Sequence, residues 1–263
     1  LDMLRLDTNI IVNIDDEYGK IFLAKAKNKG FKIETIGFSD TADIKLRVTQ
    51  ITPAIQFIEI IRGRFFYAFQ THLIGAFQAI NIGMALLTCE KFGFEFEDMV
   101  NSCNSLKPVP GRLEFVGKTK KGALVYIDFA HTPGALKHLL ETLRELTKGK
   151  LVLVFGAGGD RDKDKRKPMG AIAYKYCDLI YVTDDNPRYE EAKSIRKQII
   201  ESCPIAIEIE DRAEAIITAI QSAQLDDVVV IAGKGHEQVQ IVGDNYFPFS
   251  DFEQASVAIE LTG

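Results

Sequence analysis

The chain has 263 residues, of which 46% are hydrophobic and 26% are charged, and its formal net charge is −5. This composition is typical of a globular protein of one or two domains and excludes a disordered or collagen-like chain. The excess of acidic residues gives no reason to expect a nucleic-acid partner. No apolar segment approaches the roughly 18 residues of a membrane span, so we expect no membrane partner either.

The cysteines indicate neither a zinc site nor a disulfide framework, because no CxxC spacing occurs among them. We expect four unpaired, buried thiols, as in proteins of a reducing cytoplasm, and no metal site. The four residues are Cys89, Cys103, Cys177 and Cys203.

The first part of the chain predicts several short strands and two helices. A buried strand over 10–14 precedes a helix over 17–29, and the apolar spacing of GAFQAINIGMALLTCEKFG is typical of a second helix. Segments rich in β-branched and aromatic residues predict the other strands. These segments are 32–38, 44–51, 54–61 and 64–70. The first strand has nothing before it and residues 1–106 contain no phosphate loop, so we expect the chain to begin inside a domain.

A turn-rich stretch, KPVPGRLEFVG (107–117), predicts a linker, because Pro108 and Pro110 end the preceding helix. Strands and helices alternate strictly after it, which predicts a parallel, doubly wound α/β sheet. The predicted strands are 123–130, 151–155, 179–183, 206–210 and 228–232, and the helices between them are 132–148, 168–177, 190–202 and 211–223. Thr132 and Ser250 are predicted helix caps, and a hairpin is predicted over 238–249.

Polar or glycine-rich loops follow four of these strands, whereas plainer turns occupy the opposite edge. The loops are DFAHTP (128–133), GAGGDRDK (156–163), DDNPR (184–188) and GKGHE (233–237). Ligands of such sheets bind outside the carboxyl ends of the strands, so the asymmetry predicts a binding site at this edge.

Each loop alone also fits a structural interpretation. GAGGDR is not a dinucleotide fingerprint, because Arg161 stands where that pattern has a glycine; a plain dinucleotide-binding domain is therefore disfavoured. An arginine beside glycine amides suits a carboxylate or phosphate, although the charge run 160–167 is typical of a solvated loop. Pro187 fixes a turn that pre-orients Asn186 and Arg188. In the structural interpretation, Asp128 and His131 cap the following helix and residues 233–237 form a turn.

Taken in order, GRLE, DFAHTP, GAGGDRDK…KRKPMG, TDDNPR and GKGHE resemble the motifs of the Mur ligases, in particular of the members that add diaminopimelate. The resemblance covers the whole chain. Residues 108–263 resemble the carboxy-terminal, amino-acid-binding ligase domain of the family, a Rossmann-like, mostly parallel sheet with helices on both faces. Residues 1–107 resemble the second half of its central P-loop-type ATP-binding α/β domain.

The resemblance implies an ATP-dependent ligase that forms an amide bond through an acyl phosphate, in cytoplasmic synthesis of peptidoglycan precursors. ATP and Mg²⁺ would be its cofactors, because Mg²⁺ shields the phosphates in phosphoryl transfer. Meso-diaminopimelate and UDP-N-acetylmuramoyl-L-alanyl-D-glutamate would be its substrates. The family's phosphate loop, carbamylated lysine and amino-terminal domain all precede Leu1 in the family order, so we expect this chain alone to be inactive.

The resemblance also implies roles for individual residues. Asn81 would contact the adenine, Arg112 the nucleotide phosphates and Asp128 the ribose hydroxyls, and His131 would lie near the nucleotide. The amino-acid pocket would comprise Arg161, Asp185, Asn186, Arg188, Gly233 and Glu237. No residue is identified that would accept the proton of the attacking amine.

The chemistry of diaminopimelate fits such a pocket. Two arginines can bind its two carboxylates, and Glu237 with Asp185 can bind the distal ammonium. Lysine would leave Arg188 desolvated and unpaired, which is costly at a buried site.

Two other functions remain open. A folylpolyglutamate-type ligase is disfavoured by DNPR, because glutamate has no distal ammonium for Glu237. A non-catalytic amino-acid-binding module is not distinguished by the sequence. We also expect residues 1–107 to form a sheet with an unpaired edge and an uncovered apolar face, and therefore to self-associate.

Overall fold

The computed structural model describes residues 1 and 3–261. They divide into two compact units, Leu1–Lys107 and Pro108–Gly263. Each unit has its own sheet, and the two are described separately.

The first unit contains a five-stranded sheet in the order β1-β2-β3-β4-β5, parallel from β1 to β3 and antiparallel from β3 to β5. Its strands are β1 (Asn9–Asn13), β2 (Lys32–Gly37), β3 (Ile44–Thr52), β4 (Ile55–Arg62) and β5 (Phe65–Thr71). Its helices are α1 (Glu17–Asn28), α2 (Ala76–Lys91) and α3 (Phe96–Ser102). All five predicted strands and both predicted helices are confirmed; α3 was not predicted, and Phe96 and Val100 anchor it in the core.

Helices cover both faces of the parallel part of this sheet. Ile10 and Val12 of β1, with Ile14 directly after it, pack with Ala26 of α1, while alternate strand residues pack with α2 and α3 on the other face. The expectation of an uncovered apolar face is therefore wrong for β1 and β2. Among the described strands, β1 pairs only with β2 and remains an open edge.

The second unit contains a six-stranded sheet in the order β10-β9-β8-β11-β7-β6 and a two-stranded hairpin. Its strands are β6 (Glu114–Lys118), β7 (Leu124–Asp128), β8 (Leu151–Phe155), β9 (Leu179–Val182), β10 (Ile207–Glu208), β11 (Val228–Ala232), β12 (Val239–Val242) and β13 (Asn245–Pro248). Its helices are α4 (Pro133–Leu146), α5 (Arg166–Tyr176), α6 (Ala192–Ile200), α7 (Arg212–Ser222) and α8 (Asp251–Leu261).

Strands β7 to β11 are parallel, as predicted. The predicted linker is partly wrong, because β6 overlaps its last four residues and pairs antiparallel with β7. The predicted strand over 206–210 shortens to two paired residues at the sheet edge. Both predicted caps are present: Thr132 accepts from the Ala135 amide and Ser250 from the Glu253 amide, each at 3.3 Å.

Strand β11 lies between β7 and β8, although it is the last of the parallel strands in the chain. Every residue of β8 and β11 is buried, so these two strands form the centre of the sheet. The carboxyl ends of β7, β11, β8 and β9 therefore lie side by side, and the loops that follow them meet at one edge.

All four cysteines are free thiols; Cys103, Cys177 and Cys203 are buried, whereas Cys89 is half-buried. Within the described part of the chain, no helix is long and apolar enough to cross a membrane. The same residues contain no group of three or more histidine, cysteine or acidic side chains placed to hold a metal ion.

Candidate functional site

A cavity of about 380 Å³ opens where the loops after β7, β8, β9 and β11 meet. All six residues of the predicted amino-acid pocket line it, together with His131, Thr132, Lys165 and the glycine-rich loop. The predicted pocket residues are Arg161, Asp185, Asn186, Arg188, Gly233 and Glu237. The structure thus brings together side chains from three loops that are far apart in the sequence.

Two glycines let the loop after β8 pack directly on the loop after β9. A Cβ atom on Gly156 would lie 2.2 Å from the Thr183 carbonyl oxygen, and one on Gly159 would lie 1.9 Å from the Pro187 carbonyl oxygen. Either contact is shorter than any real Cβ contact, so a side chain at these positions would push the two loops apart. The glycine run is therefore required by this close approach.

A lysine that the sequence analysis did not single out contacts Asn186 and Glu237 of the cavity lining. Lys234 is fully buried, and its Nζ donates to Asn186 Oδ1 and to the Val239 carbonyl, each at 2.8 Å. Burial lowers the pKa of Lys234, against the opposing effect of the Asp185 and Glu237 carboxylates. Its signal in the sequence is a lysine placed between two glycines directly after an entirely apolar strand.

Lys234 fixes the orientation of the Asn186 amide. Asn186 Oδ1 accepts from Lys234 and from the Ile241 amide at 3.0 Å, so its Nδ2 is directed to Glu237 Oε2 at 2.9 Å. The second oxygen of Glu237 accepts no hydrogen bond from the described residues. The network holds one carboxylate oxygen of Glu237 and leaves the other for a ligand.

Arg188 has a left-handed backbone, with φ of 52°. This conformation costs a residue other than glycine about 1 kcal/mol, and the neighbouring chain compensates for it. The Arg188 amide donates to the Ile241 carbonyl at 3.0 Å, and its own carbonyl accepts from the Gly243 amide at 2.8 Å. One terminal nitrogen, Nη1, donates to the Gly159 carbonyl at 2.9 Å. The guanidinium is thereby held at the cavity with donors remaining for an anion.

Asp185 is 8% exposed, yet its carboxylate accepts no hydrogen bond from the described residues. A Cβ atom on Gly233 would lie 2.8 Å from its Oδ2, so the glycine leaves room for this carboxylate. Beneath it, the fully buried Arg212 forms a bidentate ion pair with Asp251, at 2.7 and 2.8 Å. Asp185 is consequently a buried carboxylate that is available to a cationic group.

Arg161 is exposed, but the loop that carries it is anchored from below. Arg166, which the charge run 160–167 predicted to be solvated, is fully buried. It binds both oxygens of Glu190 at 3.1 Å, and Glu190 in turn accepts from the Asp160 amide at 2.7 Å. Chiefly through the Arg166 hydrogen bond, the pKa of Glu190 falls to about 2. The interpretation of this run as a solvated loop therefore does not hold for Arg166.

Three of the four predicted nucleotide residues lie around Phe129. The Arg112 guanidinium is 4.6 Å from the centre of the Phe129 ring, and the rings of His131 and His236 lie 4.5 and 5.3 Å from it. Both oxygens of Asp128 accept backbone amides, from Leu113 and Ala130, at 2.7 Å, and burial raises its pKa. The carboxylate therefore has a structural role, but it does not cap α4, whose cap is Thr132. Its remaining lone pairs accept no hydrogen bond from the described residues.

The fourth predicted residue, Asn81, lies on α2 in the first unit. It is exposed, and its Nδ2 donates to Gln78 Oε1 at 3.4 Å.

Comparison with known proteins identifies both units. Residues 1–89 match the family model of the Mur ligase middle domain, and residues 111–235 match that of the Mur ligase glutamate ligase domain. The chain therefore belongs to the Mur ligase family.

Curated relatives refine the similarity. The chain is 39% identical over 254 residues to the UDP-N-acetylmuramoyl-L-alanyl-D-glutamate–2,6-diaminopimelate ligase of Agrobacterium fabrum, covering 96% of this chain and 52% of that protein. It is 41% identical over 250 residues to the ligase of the same name from Caulobacter vibrioides, covering 95% and 51%. The chain spans about half the length of the curated relatives it matches.

Solved structures agree in fold. A UDP-N-acetylmuramoyl-L-alanyl-D-glutamate–2,6-diaminopimelate ligase superposes with a TM-score of 0.64 at 31% identity, over 97% of this chain and 53% of that one. The folylpolyglutamate synthase of Mycobacterium tuberculosis, solved with ADP and AMPPCP, has a TM-score of 0.67 at 21% identity, over 98% and 55%. The α/β fold class and the parallel sheet are confirmed.

Proposed function

We propose that the chain is part of an ATP-dependent ligase that adds meso-diaminopimelate to UDP-N-acetylmuramoyl-L-alanyl-D-glutamate in the cytoplasm. The observation that carries this proposal is a single cavity with arginines and carboxylates in complementary places. Arg161 and Arg188 line it together with Asp185 and Glu237. The names of the relatives at about 40% identity support the same reaction.

The cavity suits an amino acid that carries a carboxylate and an ammonium group at its far end. Arg188, with a planar fork of donors, is suited to a carboxylate, while Glu237 and Asp185 are suited to the distal ammonium. Arg161 is left for the second carboxylate. The remaining amine then stays free as the nucleophile. L-Lysine lacks the distal carboxylate and would leave the Arg188 guanidinium desolvated without an anionic partner, which disfavours L-lysine.

For the nucleotide, we propose ATP together with Mg²⁺. The residues present fit this nucleotide. The Arg112 guanidinium over the Phe129 ring can donate to phosphate oxygens, and the remaining lone pairs of Asp128 can accept hydrogen bonds from the ribose hydroxyls. His131 lies at the cavity rim, and Asn81 exposes an amide that suits a base edge. The described residues contain no cluster of three metal-binding side chains, so Mg²⁺ would be bound mainly through the phosphates. Bound ATP would supply the phosphoryl group that activates the substrate carboxylate.

The two units divide these tasks in the proposal. Residues 1–107 would be the second half of a central ATP-binding domain, and residues 108–263 the carboxy-terminal domain that binds the amino acid.

Calorimetric titration of this chain with meso-diaminopimelate tests the proposal, with L-lysine and L-glutamate as controls. We expect meso-diaminopimelate to bind at least tenfold more tightly than either control. Preference for glutamate would instead indicate a folylpolyglutamate-type ligase. Equal binding of all three would contradict the assignment of the pocket. Selective binding by a full-length protein that forms no amide bond would indicate a non-catalytic binding module.

We also propose self-association through the first unit. Its strand β1 has an unpaired edge within the described residues, and Phe65 and Phe66 of β5 are more than half exposed. Open edges and exposed aromatic groups recruit other chains. Light scattering should show a molar mass that rises with concentration, and a constant monomer mass would contradict the proposal.

A further inference from the structure

The hairpin β12–β13 pairs with the loop that carries Arg188. Arg188 forms a parallel bridge with Val242 of β12, closed by the hydrogen bonds to Ile241 and Gly243 described above. The loop therefore behaves as a short additional strand on the edge of the hairpin. This pairing is distinct from the main sheet.

Side chains reinforce the same register. Gln240 Nε2 donates to the Asp185 carbonyl at 2.9 Å, and the Ile241 amide donates to Asn186 Oδ1 at 3.0 Å. Further along, the Tyr189 hydroxyl hydrogen-bonds to Asp244 in the hairpin turn. Each residue of the loop from 185 to 189, apart from Pro187, thus has a partner on or next to β12.

Two of the three charged groups proposed to bind the distal end of the ligand, Arg188 and Glu237, are attached to this hairpin along the chain or by backbone pairing. Glu237 precedes β12 by two positions in the chain, and Arg188 is paired to its far end. A shift of one residue in the pairing would move Arg188 by about 3.3 Å relative to Glu237. The register of β12 consequently fixes the distance between a cationic and an anionic group in the cavity.

We propose that the hairpin β12–β13 is a specificity-determining element, whose pairing with residues 185–189 sets the separation of Arg188 and Glu237 to match a carboxylate and an ammonium on one carbon. Gln240 is the positioning residue that locks this register. The inference rests on the proposed function, because it assigns those two groups to the distal end of the ligand. A ligand without the distal carboxylate does not use Arg188 and should be less sensitive to the register.

The variant Gln240→Leu tests this inference, since it keeps the side-chain size and removes the bond to the Asp185 carbonyl. The matched control is Gln224→Leu, because the Gln224 amide also donates to a backbone carbonyl, that of Ser222 at 2.9 Å, but away from the cavity. Two quantities are measured on the whole chain. They are the dissociation constants for meso-diaminopimelate and L-lysine, and the hydrogen–deuterium exchange of residues 185–189.

We expect Gln240→Leu to weaken meso-diaminopimelate binding about tenfold, to weaken L-lysine binding much less, and to speed exchange only in 185–189 and in the paired residues 241 and 243. The Gln224→Leu control should change none of these. Equal weakening of both ligands, or unchanged selectivity, would overturn the inference while leaving the proposed function intact.

If the unsubstituted chain itself does not prefer meso-diaminopimelate, the proposed function fails first. In that case the hydrogen–deuterium exchange alone tests whether Gln240 holds the pairing of the hairpin with the loop. Unchanged protection of residues 185–189 in Gln240→Leu would overturn that role.

Discussion

Asn186 donates from Nδ2 to Glu237 Oε2 at 2.9 Å, although 51 positions of the chain separate the two residues. Both had been expected to contact the ligand. The structure gives Asn186 a second task, because its amide is fixed by Lys234 and holds one oxygen of Glu237 in place. Substitutions in this network should therefore change ligand binding as well as folding.

Arg188→Ala should abolish recognition of meso-diaminopimelate while the fold persists. We expect at least a hundredfold weaker binding, because sites built around a polar group discriminate strongly against its loss. Arg188→Lys should recover only part of the affinity, since lysine lacks the planar fork. Calorimetry measures both variants, with thermal unfolding as the control for folding. Unchanged affinity in Arg188→Ala would refute the assignment of the pocket.

Lys234→Met should release the Asn186 amide. The substitution removes a buried charge but leaves Asn186 Oδ1 and the Val239 carbonyl each without one donor, which costs about 1–3 kcal/mol per group. We expect a moderate loss of stability and at least tenfold weaker binding of meso-diaminopimelate. Lys175→Met, at an exposed lysine of α5, is the matched control and should change neither. The prediction fails if Lys234→Met binds as tightly as the unsubstituted chain.

Arg212→Met should destabilise the second unit strongly. Arg212 and Asp251 are both fully buried, so the substitution leaves an uncompensated carboxylate, at a cost of about 3–5 kcal/mol. The double variant Arg212→Met/Asp251→Leu should regain most of that loss. Urea unfolding followed by circular dichroism measures the difference. Lys167→Met, which breaks an exposed pair with Glu201, should leave the stability nearly unchanged, because solvent screens such a pair.

Glu190→Gln should lower stability in a pH-dependent manner. The pKa of Glu190 is about 2 in the folded chain against an ordinary value of 4.5. The unfolded chain therefore binds this proton first as the pH falls. The stabilisation by the carboxylate is complete above pH 4.5 and is lost as the pH falls towards 2.

At pH 7 we expect Glu190→Gln to cost about 2 kcal/mol, since hydrogen bonds to a charged group are lost. The difference between the two proteins should shrink steadily below pH 4.5 in denaturant titrations. A difference that stays constant from pH 7 to pH 3 would show that the Arg166–Glu190 pair contributes nothing through its charge.

The sequence was sufficient to predict the sheet and the edge where the cavity lies. Strand positions follow from local apolar runs, and the polar residues that end those runs are visible without any knowledge of the fold. The sequence analysis missed three buried charged residues, Lys234, Arg166 and Arg212, because local sequence does not reveal them. Their burial depends on partners far away in the chain, such as Asn186, Glu190 and Asp251, and charged residues are rarely buried.

Register also escaped the sequence analysis. Gln240 is unremarkable in its local sequence, and only the pairing of β12 with the loop that carries Arg188 connects it to the cavity. The strand β6 was hidden for a related reason, since a sheet edge tolerates the glycine and the irregular register found there.

The position of β11 has a consequence for how the second unit is made. This strand lies between β7 and β8. The two strands therefore cannot become part of one sheet until β11, near the end of the unit, has been synthesised. Contacts that close such long loops form late and slow the folding of a chain. During translation the emerging unit therefore carries two separated central strands with exposed apolar edges. A nonsense mutation before Val228 would leave the gap between these two strands permanently open, and a chaperone that binds apolar strands would be needed longest at this stage.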